Sequence, residues 1–169
     1  MKKVILILIG LCIYQFSFSQ TTEKYKAVHI YRLTQNINWR LNTQPDKYII
    51  TVIGNSPINW ELNSVSKSPK ATRPRVEVRK AVSVDKIEQS HIVFIPKSKS
   101  SIINDVILKL EGKKTVIISD NLTRYINGID INLSFQSNTL KLEIDKNNME
   151  QKGLKLNEAI IANNLSYNQ

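Results

Sequence analysis

Apolar residues in this chain recur at two different periods, and each change of period marks an element boundary. From Glu23 to Ile37, the residues Ala27, Ile30, Leu33, Thr34 and Ile37 fall three or four apart. That spacing predicts a helix with one buried stripe, capped by Thr21 or Thr22. Trp39 and Leu41 follow its exit, and Pro45-Asp46 reads as a turn. The period then collapses into the continuous run Lys47–Ile53, rich in β-branched residues, as expected of a strand covered on both faces. Gly54-Asn55-Ser56-Pro57 ends it, with Ser56 placed as N-cap and Pro57 as first residue of a short helix to about Val65. Arg75–Arg79 alternates strictly, so it reads as an outer strand with one wet face. After a helical turn over Val84–Gln89, His91–Ile95 and Thr115–Ser119 are two more buried strands. Between them Ser98 or Ser100 caps a helix ending at Leu110, whose apolar face is Ile102, Ile103, Val106, Ile107 and Leu110. A short turn is expected over Leu122–Tyr125. Ile129–Phe135 and Leu140–Ile144 alternate around Gln136-Ser137-Asn138, which is a hairpin signal. Asp145 reads as a cap for a turn at Asn148–Lys152, and a last helix is expected over residues 155–164 with Leu156, Ile160 and Ile161 inward.

Strands alternating with helices imply parallel pairing through right-handed crossovers, and the hairpin adds an antiparallel edge. The expected fold is a three-layer α/β domain: a mixed, mostly parallel sheet of about six strands with an antiparallel C-terminal hairpin, and helices on both faces.

The N-terminus follows a different pattern. Lys2 and Lys3 precede an apolar run from Val4 to Tyr14, and Ser17 and Ser19 lie two apart beyond it. A positive start, a short apolar middle and a small-x-small exit are the marks of a secretory signal peptide. The run is short of the roughly 20 residues that span a bilayer. Residues 1–19 are therefore expected to be a leader, and residues 20–169 one domain exported to the periplasm. Export removes cytosolic nucleotides and chromosomal DNA from the expected partners. The single cysteine, Cys12, would leave with the leader, so no disulfide and no thiolate metal site is expected. Losing Lys2 and Lys3 takes the net charge from +10 to +8, an excess suited to anionic surfaces or an acidic partner.

The sequence carries no phosphate loop, dinucleotide fingerprint, zincin helix or nucleophile elbow. His29 and His91 are the only histidines and lie on different elements. Neither an enzyme activity, a cofactor nor a metal is expected. Three hydroxyl- and amide-rich loops follow central strands, and ligands of open α/β sheets bind at that edge. They supply Asn55, Ser56, Ser98, Asp120 and Asn121 as candidate ligand-binding residues, each loop preceding a helix N-terminus. Asp120, directly after a strand, reads either as such a residue or as the N-cap of the next turn. Asp130 reads as a wet-face strand residue. The densest charge feature joins Lys67, Lys70, Arg73, Arg75, Arg79 and Lys80, relieved only by Glu77. Arg73, Arg75, Arg79 and Lys80 are the candidate partner-binding residues. No aromatic residue is interleaved to stack bases, so nucleic acid is not an expected partner.

Several segments together resemble the YfiR-like family of exported bacterial regulators. These are Lys26–Tyr31 followed by Ile37-Asn38-Trp39, the turn Gly54-Asn55-Ser56-Pro57, His91–Ile95, Ser119-Asp120, Gly128–Leu133, Leu142–Ile144 and Gly153–Leu156. The resemblance implies a non-enzymatic periplasmic homodimer that represses a membrane-bound diguanylate cyclase by binding its periplasmic sensor domain. Related domains serve other membrane receptors, including histidine kinases. Better-known members sense redox state through disulfides, which a cysteine-free mature chain would not do. A small-ligand sensor or carrier using the three loops is the alternative reading, and an enzyme using Asp120 a third.

Overall fold

The computed structural model describes residues 22–39, 45–68, 75–120, 122–123, 126–136 and 139–157. Helix α1 covers residues 22–36 and runs directly into a two-residue strand, β1 (Ile37–Asn38). There follow β2 (Lys47–Ile53), α2 (Ile58–Ser66), β3 (Arg75–Ala81), a 3-10 turn at Val84–Lys86 and β4 (Ile92–Ile95). A 3-10 segment, Lys97–Ile102, leads into α3 (Ile103–Leu110). The chain continues through β5 (Val116–Asp120), β6 (Ile131–Gln136), β7 (Thr139–Ile144), α4 (Lys146–Gln151) and β8 (Lys155–Leu156).

Six strands form one sheet in the order β3-β2-β4-β5-β6-β7. All neighbours are parallel except the β6–β7 hairpin. Side chains alternate between its faces. Ile50, Val52, Ile92, Phe94, Val116 and Ile118 meet α1, α2 and Met149 of α4 on one side. Val93, Ile95 and Ile117 meet Ile103, Val106 and Leu110 of α3 on the other. The three-layer mixed architecture is therefore as the sequence predicts.

Several local expectations are corrected. Lys155–Leu156 is a strand, not the start of a helix: β8 pairs antiparallel with β1, setting Ile37 opposite Leu156. Burying Leu154 and Leu156 beside Ile37 outweighs the helical spacing of their apolar neighbours. The rest of that expected helix, including Ile160 and Ile161, lies outside the described residues. Thr22 is inside α1 rather than capping it, and Thr21 lies outside the described residues. Ser56 does not cap α2 with its hydroxyl; Pro57 is the N-cap, and the Ser56 carbonyl accepts from Asn59 N–H at 3.0 Å. Neither Ser98 nor Ser100 caps α3, because the 3-10 segment precedes it. The helical turn at Val84–Gln89 shrinks to its first three residues. The turn at Leu122–Tyr125 lies partly outside the described residues, and Leu122 and Thr123 are not helical. Asp145 does cap α4, accepting from Asn148 N–H at 2.9 Å.

Candidate functional site

The carboxyl ends of the parallel strands are the expected site, and among the described residues the three loops there do not form one constellation. Two of them meet. Lys99 lies across Gly54, so a Cβ on that glycine would come within 2.8 Å of the Lys99 Cε. Asn55 is exposed and accepts from Lys80 Nζ at 3.0 Å. Ser98 lines a groove of about 760 Å³ beside α3, with Ile53, Asp85, Ser101 and the exposed Val82 and Leu108. Ser56 is half-buried before α2.

The third loop is separate. Asp120 is the last residue of β5 and points to the opposite layer, where its Oδ1 lies 2.8 Å from Lys26 Nζ of α1. Lys26 also donates to Glu23 at 2.8 Å. Lys26 and Asp120 are both buried. Burial pulls the Lys26 ammonium down, but Asp120 and Glu23 together outweigh it and hold it above the ordinary lysine value of 10.5. Asp120 thus anchors α1 to the sheet through Lys26. Asn121 lies outside the described residues. A signal for this pair was present in the sequence. Lys26 sits four residues before Ile30, on the apolar stripe, where a lysine needs a buried partner.

Asp130 corrects the wet-face expectation outright. It is fully buried because it precedes β6 and turns under α4 instead of continuing the strand's alternation. Its Oδ2 accepts from Ile117 N–H and from Lys152 Nζ, each at 2.7 Å, and its Oδ1 from Asn148 Nδ2 at 2.7 Å. Burial raises the Asp130 carboxyl above its ordinary value of 3.8, against the opposing pull of Lys152 and the Ile117 N–H. Asn132, next on that side, receives Ser119 Oγ at 3.0 Å and Leu122 N–H at 3.0 Å and donates to Glu143 at 2.7 Å. The buried Asp130 and Asn132 side chains spend their polar atoms on bonds within the fold.

The histidines are structural too. His91 Nδ1 accepts from Ile49 N–H at 3.0 Å, and the ring stands edge-on to Trp39 and Tyr48. Burial lowers its pKa below 6.5. Burial, with Arg32 nearby, does the same for His29. Among the described residues, no group of three or more His, Cys, Asp or Glu is placed to hold a metal.

The basic cluster is partly neutralised. Arg79 Nε lies 2.6 Å from Glu77 and its Nη1 3.1 Å from Glu88, and Lys47 also pairs with Glu77. Arg75 and Lys80 are exposed on the same strand. Arg73 and Lys70 lie outside the described residues. What the sequence shows as a cationic patch is, along β3, a row of alternating charge.

Residues 23–162 match the YfiR/HmsC-like family. The chain belongs to the YfiR/HmsC-like family. No curated protein sequence matches it. The YfiR/HmsC-like match takes in every element from α1 to β8, so the anchors Lys26–Asp120 and Asp130–Lys152 both fall inside the family domain. Family membership suggests a regulator of diguanylate cyclase signalling rather than a catalyst. Among the described residues, no helix is long and apolar enough to cross a membrane.

Proposed function

We propose that this chain is a periplasmic regulatory protein that acts as a homodimer and represses a membrane-bound receptor, such as a diguanylate cyclase, by contact with its periplasmic sensor domain. The observation that carries this reading is the family match over residues 23–162. The site chemistry agrees with it: Asp120, Asp130 and His91 each bond to the fold itself. Residues 1–19 act as a cleaved leader. Binding stabilises one conformation of the receptor's outer segment, and its output falls through that population shift. The partner-facing residues are Arg73, Arg75, Arg79 and Lys80, three of them on β3.

Crosslinking in cells, followed by identification of the captured membrane protein, tests the reading. Capture of a cyclase or sensor kinase supports it; no membrane receptor among the captured proteins overturns it. N-terminal sequencing of the envelope-derived protein should find a start near Gln20. An intact leader overturns export. Asp120→Ala, scored per folded molecule, leaves output unchanged.

A small-ligand sensor is the second reading, favoured by the groove of about 760 Å³ that contains Ser98. A thermal shift with small anions that Ser98→Ala abolishes would support it.

A further inference from the structure

The outer edge of β3 carries its own pairing code. β3 ends the sheet order and pairs with β2 in register over its whole length, from Lys47 opposite Arg75 to Ile53 opposite Ala81. Gly54 N–H donates to the Ala81 carbonyl at 2.8 Å, which fixes the phase of that ladder. In a parallel pair, alternate residues turn both backbone groups toward the same neighbour. Arg75, Glu77, Arg79 and Ala81 therefore bond to β2, and Val76, Val78 and Lys80 turn N–H and C=O outward. Among the described residues, nothing bonds to those outward groups.

We propose that a second copy of the chain pairs there, β3 antiparallel to the partner's β3 about a twofold axis through Val78. The inference rests on the homodimer proposed above and names its surface. Ladder phase supports this register. Val78 faces the partner's Val78, and Val76 faces the partner's Lys80. All of these residues carry outward backbone groups, so each opposed pair can exchange two hydrogen bonds. Charge supports it as well. Glu77 lies opposite the partner's Arg79, and Arg79 opposite the partner's Glu77, in the closer-spaced class of pair. The neighbouring register, centred on Glu77, would set Glu77 against Glu77 and Arg75 against Arg79. Packing agrees: Val76 and Val78 are half-buried against the first core, and the axis closes Val78 on its own copy. An alternating charge row guards an edge strand against indiscriminate pairing; the register centred on Val76 also sets Arg75 against Glu77, but it would run on to Pro74, which has no N–H to exchange with Val78.

Sedimentation of the full chain as cells process it tests the proposal. The native protein should be a dimer. Glu77→Arg or Arg79→Glu alone should weaken it at least tenfold, because like charges then face each other. An equal mixture of those two variants should recover the dimer, since each mixed pair is again Arg against Glu. The double exchange E77R/R79E should recover it too. V78P removes an outward N–H, a place where an edge strand tolerates proline, and trims a half-buried side chain; it should yield a folded monomer by circular dichroism. A native protein that is monomeric at every concentration overturns both the surface and the homodimer. A dimer that none of these variants moves keeps the homodimer and overturns this surface. Failure of the mixture to recover the dimer overturns the register.

Discussion

Asp130 shows what one buried carboxylate demands of its neighbours. It has a cation, an amide and a backbone N–H within 2.7 Å. Lys152→Met removes the cation and leaves the charge buried, which costs about 3–5 kcal/mol at neutral pH. The sign of the pH dependence follows from its raised pKa. Between the ordinary value of 3.8 and the folded value, the folded state holds the proton more tightly than the unfolded state. Stability contributed by this group therefore falls as pH rises through that window. The loss in Lys152→Met should be smaller at acid pH than at pH 7, as read by urea unfolding at both. The histidines have the opposite slope. Both are held neutral below 6.5, so the unfolded chain takes up protons first and stability falls as pH drops below 6.5. Proton NMR should find both rings titrating below 6.5; a ring that titrates above it contradicts the burial argument.

At the scale of elements, the loop into β6 is set by contact with α3. Gly128 has φ +96°, and a Cβ there would lie 2.7 Å from Ile107 Cγ2. Gly128→Ala combines backbone strain with a clash against a helix side chain, and should cost more than about 1 kcal/mol, measured by thermal unfolding. The strands were the most legible elements. β2 and β4 are short β-branched runs ended by Gly54 and Pro96, β5 is one ended by Asp120-Asn121, and β6 and β7 alternate around polar residues, so period alone locates them. What sequence period cannot supply is distant pairing. Local period reads β8 as helix because its partner β1 is far back in the chain. Asp120 reads as a loop group in the sequence because Lys26, its partner, is on the first helix. Alternation puts Asp130 on the wet face because its partner, Lys152, follows two strands and a helix later. The candidate ligand loops were legible as loops. Which layer each one faces was not, since that depends on where β5 ends and on which helix packs above it.

Across the whole molecule, the ribbon of β1 and β8 ties the first helix to the last described strand. Leu154 is buried in the same core as Ala27, Ile30 and Leu33 of α1. Leu154→Ala should cost about 2–5 kcal/mol, and hydrogen exchange should speed up in α1 as well as near β8. Faster exchange confined to the C-terminal residues would show that the two ends are not one cooperative unit. The ribbon also bears on how the polypeptide is made. Vectorial synthesis delivers the first helix early and its clasp late, so the β1–β8 pairing waits until Leu156 has emerged. Until that clasp forms, α1 is held to the rest of the fold by its packing and its Lys26–Asp120 pair alone.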